Sequence, residues 1–365
     1  MSQVQTVKYL TSMAHANASD YSNLVGAFRA YVCPFIALFG LLGNLFIVIV
    51  FSREQPRTRF SIYAISLAIS NAITLVSNTL LDDFLGRGLY YATNGEHHYK
   101  LDATSEFGCK FVEYLSNVMF FITSYIIVIF SLDRLLTIHR PIQFYSIHHK
   151  KWAVGACLLV YLIGFVSNTP LIFIQTLVID PASRTNFTCR MLEDHPVAKF
   201  SITYEVVCTY TIPFCLVMIL NSSICFRLWQ LRHERRRLLP ADRVSNQLEM
   251  SRVMGHLALS TVFLLLYMPV VGLVLIRLHL TLTHADRYTS YTLHVIDLSR
   301  LFSSIKDITY AVNFPLYFAF LCNFRRRFLN MFCPCCTTEV VARSASSKSH
   351  GSRRTEKTTT NTGLI

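Results

Sequence analysis

Residues 111–134 read FVEYLSNVMFFITSYIIVIFSLDR. From Phe111 to Leu132 the one charged side chain is Glu113. A helix needs about 20 predominantly apolar residues to cross the hydrocarbon core of a bilayer. The run then meets an adjacent acid and base, Asp133 and Arg134, which belong at an aqueous boundary or in a paired site. Comparable stretches recur on both sides of it: Ala30–Phe51, Ser61–Leu85, Trp152–Thr176, Phe200–Leu228, Val253–Leu278 and Tyr291–Phe320. The last is the least apolar, because it carries His294, Asp297, Arg300, Lys306 and Asp307. The intervening segments are too short for a second folded domain. The sequence therefore predicts an all-α membrane protein, a seven-transmembrane-helix bundle over 30–321.

Composition agrees with a chain whose solvent is largely lipid. Of 365 residues, 52% are hydrophobic and 15% charged, where a soluble domain carries about 25% charged residues. The formal net charge of +13 suits either nucleic acid or an anionic membrane surface. Its distribution decides. Segments 52–60, 133–151, 227–252 and 321–365 hold 22 of the 34 Lys and Arg, but 7 of the 21 Asp and Glu. All four fall on one side of a seven-span chain, and basic segments stay in the cytosol. The charge is thus a topology signal, and nucleic acid is not an expected partner. It predicts a multi-pass plasma-membrane protein with an extracellular N-terminal tail (1–29) and a cytosolic C-terminus. The tail lacks a signal-peptide apolar core, which leaves the first span as the insertion signal. Asn17-Ala18-Ser19 and Asn186-Phe187-Thr188 fit glycosylation sequons on the outer side. Asn221-Ser222-Ser223 also fits, but lies deep in the fifth span.

Five of the 11 cysteines, Cys33, Cys157, Cys208, Cys215 and Cys225, sit in apolar spans, where Cys behaves as a small hydrophobe. Cys109, opening the third span, and Cys189, in the second outer loop, both face the oxidising side. A disulfide between them is the expectation, with two unpaired thiols as the alternative. After the seventh span, Phe324, Phe328 and Met331 recur at helical spacing beside Arg325, Arg326 and Arg327. Residues 322–336 read as an amphipathic helix on inner-leaflet lipid, followed by palmitoylation candidates Cys333, Cys335 and Cys336. A plain basic stop-transfer flank is the alternative. Residues 337–365, rich in Ser, Thr, Lys and Arg, read as a disordered cytosolic tail open to phosphorylation.

The polar and proline positions inside the spans say more than the spans do. They are Gly43-Asn44, Leu67-Ala68-Ile69-Ser70-Asn71, Ser131-Leu132-Asp133-Arg134-Leu135 with Pro141 beyond, Pro170, Pro213, Phe263-x-x-x-Tyr267-x-Pro269, and Asn313-Phe314-Pro315-Leu316-Tyr317 followed by Phe324-Arg325. Cys109 precedes Arg134 by 25 residues. Together, from about Ala30 to Cys336, these resemble the rhodopsin-like family of G-protein-coupled receptors. The Asn-Phe form of the seventh-span motif is similar to that of some invertebrate RFamide-type neuropeptide receptors.

The resemblance implies roles. Asp133 and Arg134 would face the G protein, with Glu249 pairing the arginine at rest; snorkelling surface charge is the alternative. Breaking that pair would let the sixth span swing about the Pro269 kink. Phe263 and Tyr267 would sense the ligand, and Asn313 and Tyr317 would complete the switch, with Asn44 and Asn71 in an intramembrane polar network. The partners implied are an extracellular ligand, a heterotrimeric G protein, membrane lipids, and arrestin and a receptor kinase at the tail. Departures accompany the match. Asn71 stands where the family has a sodium-binding Asp, Leu135 replaces a tyrosine, Tyr267 a tryptophan, and Phe314 a proline.

The ligand class follows partly by exclusion. Ser116 occupies the position of the aminergic aspartate, and Asp307 that of the retinal lysine. The outer half is acidic, with Asp82, Asp83, Glu106, Glu113, Glu205, Asp297 and Asp307. Arg300 and Lys306 neutralise some of these internally or leave a surplus for a basic peptide. Asp82, Glu113, Ser116, Asn117, Asp297 and Asp307 are the candidate ligand residues. The alternative to a signalling receptor is an atypical decoy or scavenger of the same fold. A transporter lacks the expected repeats and charged pathway. An enzyme lacks a Ser/His/Asp set or metal cluster, so no cofactor and no metal are expected.

Overall fold

The computed structural model describes residues 21–55, 57–97, 99–139, 149–179, 187–192, 195–234, 243–283 and 289–332. Seven long helical elements carry the chain back and forth. They are α1 (Tyr21–Ser52), α2 (Arg59–Ala92), α3 (Glu106–His139), α4 (Lys150–Ile174), α5 (Pro196–Leu231), α6 (Arg243–Leu282) and a segmented α7 (Ser290–Lys306, Ile308–Ala311 and Asn313–Phe320). A short α8 (Cys322–Phe332) follows. Among the described residues the first six are long and apolar enough to cross a membrane.

Local chemistry sets the ends and bends. Thr58 caps α2: its hydroxyl accepts the Ser61 N–H at 3.3 Å, and the Ser61 hydroxyl accepts the Thr58 N–H at 3.0 Å. α1 bends at Val32, two residues before Pro34, a residue with no N–H to give the ladder. α2 and α5 widen into π-helical stretches, Leu75–Gly88 and Glu205–Thr211. The second precedes Pro213, and the Thr211 hydroxyl donates to the Val206 carbonyl there at 2.9 Å. α7 breaks at Asp307 and Val312; Pro315 removes a ladder donor just beyond.

α3 is the axis. Its most apolar window is 78% buried, against 28% for that of α5, so the other helices surround it and face outward. Trp152, Leu158, Leu162 and Val166 of α4 are exposed, which suits lipid and would be an aggregation surface in water. The core runs from Phe51, Phe60 and Phe130 through Ile122 and Ile126 to Phe263 and Tyr267. Phe314 packs against Gly43, where a Cβ would come within 2.9 Å of it, and its ring lies 5.6 Å from Phe46. The motif departure at Phe314 is thus filled aromatic space.

At one end β1 (Gln175–Ile179) pairs antiparallel with β2 (Phe187–Met191), in register Leu177↔Cys189. Cys189 is bonded to Cys109 of α3, with Cα atoms 5.4 Å apart. This is the disulfide end; the opposite, arginine end carries Arg134 and α8.

The helices overrun the expected spans. α1 starts at Tyr21, ahead of the expected Ala30, because Arg29 is buried and bonded and does not mark a boundary: its Nε lies 2.9 Å from Asp83 Oδ1 and 3.1 Å from Ser304 Oγ. α2 and α3 likewise extend beyond their apolar cores. The seventh span, expected over Tyr291–Phe320, is in three pieces. Asn17, Asn186, Pro141, Cys333, Cys335, Cys336 and the 337–365 tail lie outside the described residues.

Candidate functional site

At the arginine end, α3 delivers Asp133 and Arg134 into the bundle at 7% and 2% exposure. One Asp133 oxygen pairs with Arg134; the other takes Arg59 Nη1 at 2.8 Å. Arg59 also donates to Thr137 at 3.2 Å, so the start of α2 is tied to the last turns of α3. The Arg134 guanidinium lies 5.6 Å from the Phe60 ring centre and 5.7 Å from that of Phe130, near enough for cation–π attraction. Tyr317 of α7 packs on the same aromatic set, 5.8 Å from both Phe51 and Phe60.

α6 reaches this cluster through His256, which is fully buried. Its Nε2 is 2.8 Å from Ser131 Oγ and its ring 4.2 Å from Phe130. Lower on α6, Arg252 Nη2 approaches Glu54 Oε1 at 3.4 Å, and Ser251 Oγ donates to the Phe320 carbonyl at 2.6 Å. Glu249 lies on α6, but its side chain falls outside the described residues, and with it the expected pairing to Arg134. Sequence reasoning singled out neither His256, Arg59 nor Glu54. The signal available was an ionisable residue in or beside an apolar span.

In the middle, the rings of Phe263 and Tyr267 are 4.0 Å apart, two residues short of Pro269. The Tyr267 and Tyr310 hydroxyls are 2.8 Å apart, which joins α6 to α7. Asn44 Nδ2 donates to the Gly40 and Tyr310 carbonyls at 2.8 and 2.9 Å. The Asn71 Oδ1 and Tyr317 hydroxyl, though buried, have no hydrogen-bond partner among the described residues. Asn313, four residues before Tyr317, is also buried, at 2% exposure. Asn221 accepts the Ser260 hydroxyl at 2.9 Å, a packing role between α5 and α6.

Toward the disulfide end, most acids already have cations. Asp82 pairs with Arg87 at 3.1 Å, Asp83 with Arg29, Asp102 with Lys100 at 3.1 Å, Glu106 with Lys110 at 2.7 Å, and Asp297 with Arg300 at 3.2 Å. Asp307 is the most committed. It accepts Lys306 Nζ at 2.9 Å, Asn78 Nδ2 at 2.8 Å and Thr79 Oγ1 at 2.7 Å, and both charges are fully buried. The ammonium also lies 4.1 Å from the Phe120 ring centre. So three candidate ligand acids, Asp82, Asp297 and Asp307, are spent on internal pairs. Glu113 of α3 and Glu205 of α5, both half-buried, form no ion pair among the described residues. Ser116 and Asn117 are buried beside Glu113, and the Asn117 amide donates to the Glu113 carbonyl at 2.9 Å. Asp102, Glu113 and Cys189 cluster within 4.8 Å, but the Cys189 sulfur belongs to the disulfide and is not a thiolate ligand.

Comparison with known proteins agrees with this architecture. A family model described as 7 transmembrane receptor (rhodopsin family) matches residues 43–308. Leukotriene B4 receptor 1 of Mus musculus is 25% identical over 54% of this chain and 52% of its own. Cephalotocin receptor 1 of Octopus vulgaris is 22% identical over 53% of this chain and 46% of its own. The allatostatin-A receptor of Bombyx mori is 24% identical over 82% and 78% respectively. The match spans about half the length of the first of these relatives. With the family model covering most of the helical bundle, the chain belongs to the rhodopsin family of seven-transmembrane receptors, a receptor family and not an enzymatic one.

Proposed function

We propose that the chain is a plasma-membrane receptor that binds a basic peptide at the disulfide end and activates a heterotrimeric G protein at the arginine end. The observation that carries this reading is the charge inventory. Glu113 of α3 and Glu205 of α5 form no ion pair among the described residues, while the neighbouring acids Asp82, Asp83 and Asp102 do. Partly buried carboxylates left in this way favour a cationic ligand. Two relatives, the cephalotocin and allatostatin-A receptors, are named for peptides. In this reading Cys189 secures the hairpin over the ligand, and Asn17 and Asn186 carry glycans outside.

The excess of Lys and Arg in its connecting segments supports a cytosolic arginine end. There α8, with Phe324 inward and Arg325 and Arg326 exposed, lies on anionic lipid and is anchored further by acylation at Cys333, Cys335 and Cys336. Ligand contact shifts the Phe263–Tyr267–Tyr310 column, and the half of α6 below Pro269 moves outward to admit the G protein beside Arg134. Glu249 restrains it at rest. Arrestin and a receptor kinase act on the Ser/Thr-rich tail.

A decoy reading of the same fold has its own support in Asn71, Leu135 and Phe314, where the family motifs are altered. Expression of the full chain with a panel of Gα subunits separates the two. Challenge with amidated basic peptides, with amines and lipids as controls, is expected to raise nucleotide exchange for a peptide. Saturable peptide binding without exchange on any Gα would establish the decoy.

A further inference from the structure

Glu54 sits just past α1, in the connection to α2, and is 5% exposed although charged. Three donors from separate elements converge on it. Arg327 Nη1 of α8 lies 3.0 Å from Oε1, Arg252 Nη2 of α6 3.4 Å from the same oxygen, and Thr58 Oγ1 3.4 Å from Oε2. Beside them Ser251 bonds the Phe320 carbonyl, and Gly255 lets Leu321 into space that a Cβ would occupy. Residues 251–255 of α6 therefore contact the α7–α8 junction and Glu54 through, among the described residues, a carboxylate, a hydroxyl and a close packing contact.

These attachments are unequal. α8 is fixed to α1 independently, by Phe324 against Phe51 at 5.2 Å, and by Phe328 and Phe332 against Phe46 at 5.3 and 5.2 Å. Glu54, Arg327 and Thr58 thus form one platform. Arg252 is the partner that departs if α6 moves. Taking the negative charge from between two guanidinium groups does more than delete a bond: Arg252 and Arg327 then repel across a half-buried gap.

We propose that Glu54 is a positioning residue, a latch acid that holds the inner end of α6 closed against α8 through Arg252. The inference rests on the signalling reading for its consequence, but not for its geometry.

The test uses the purified full chain in lipid nanodiscs, with spin labels at Met254→Cys and Arg326→Cys and the native exposed cysteines replaced. Glu54→Gln and, as a second route to the same break, Arg252→Gln are each expected to populate longer α6–α8 distances. Arg252→Lys keeps the charge and should retain the resting distance. The Glu54→Gln/Arg252→Gln double variant should resemble Arg252→Gln, since with Arg252 neutral the Glu54 charge has no hold on α6 and the two guanidinium groups no longer repel. Basal nucleotide exchange on added G protein should rise roughly fivefold or more in both Gln variants. Resting distances unchanged in folded Glu54→Gln and Arg252→Gln would overturn the latch, whatever the signalling. Longer distances with no exchange on any Gα would uphold the latch and overturn G-protein coupling.

Discussion

The Arg134 side chain sits at 2% exposure with Asp133 and two aromatic faces in the place of water. Asp133 in turn is shared with Arg59, so deleting Arg134 does not strand the acid. The Arg134→Ala variant should therefore fold and bind ligand near normally while its G-protein activation falls to background. Binding and nucleotide exchange measured in the same membranes check this, and normal exchange would remove Arg134 from the mechanism. The same accounting ranks the acids of the ligand half. Glu113→Gln discards a carboxylate with no internal partner among the described residues, and should weaken a basic peptide by about 1.5–3 kcal/mol, roughly 10- to 100-fold in Kd. Asp297 is already held by a half-exposed Arg300, so Asp297→Asn should cost the ligand less. An equal loss from both, read by competition binding, would contradict the charge inventory.

At the scale of the helices, the apolar cores of the spans were legible because crossing lipid requires a minimum length of apolar chain, and length is local information. The extents were not. The first span was expected to start at Ala30, yet the charged residue before it, Arg29, is buried against Asp83 and Ser304 of other helices. The break in α7 was visible only as a run of ionisable residues; its physical content is that Asp307 satisfies partners on α2 and its own neighbour Lys306. Motif resemblance drew attention to Asp133, Arg134 and Tyr267. It passed over His256, bonded to Ser131, and Glu54, paired with Arg252 and Arg327, partners more than 100 residues away in sequence. The Tyr267–Tyr310 hydroxyl pair is a case in point, since it joins α6 just before its proline to α7 just after its break. Tyr267→Phe and Tyr310→Phe each remove that one hydrogen bond, a loss of about 1 kcal/mol. Thermal unfolding of the purified variants should show similar shifts for each. The double variant should exceed the larger single shift little, because contacting residues do not add. Fully additive shifts would mean that each hydroxyl has other work.

The whole molecule divides its charges between its two ends. The arginine end keeps an excess of Lys and Arg, while the disulfide end nearly neutralises itself through pairs on α2, α3 and α7. Such internal pairing leaves the bundle able to stand without its ligand, and it leaves the β hairpin as the element with least support of its own. The hairpin's half-exposed strands bury little apolar surface. The bond from Cys189 to Cys109 ties it to α3, closes a loop of 80 residues through α3, α4 and the hairpin, and restricts the unfolded chain. The bond therefore matters for the ligand end far more than for the arginine end. Cys189→Ser should lower peptide affinity by about tenfold or more, because the hairpin no longer presents one surface to the ligand. Basal exchange should stay near that of the parent, since the Arg134 cluster and the Glu54 contacts lie at the other end of α3. Mild reduction of the intact protein should reproduce the loss of binding, and reoxidation should restore it. If basal exchange instead changed in step with affinity, the two ends would be coupled through α3 itself, and the hairpin would be part of the switch and not only of the binding site.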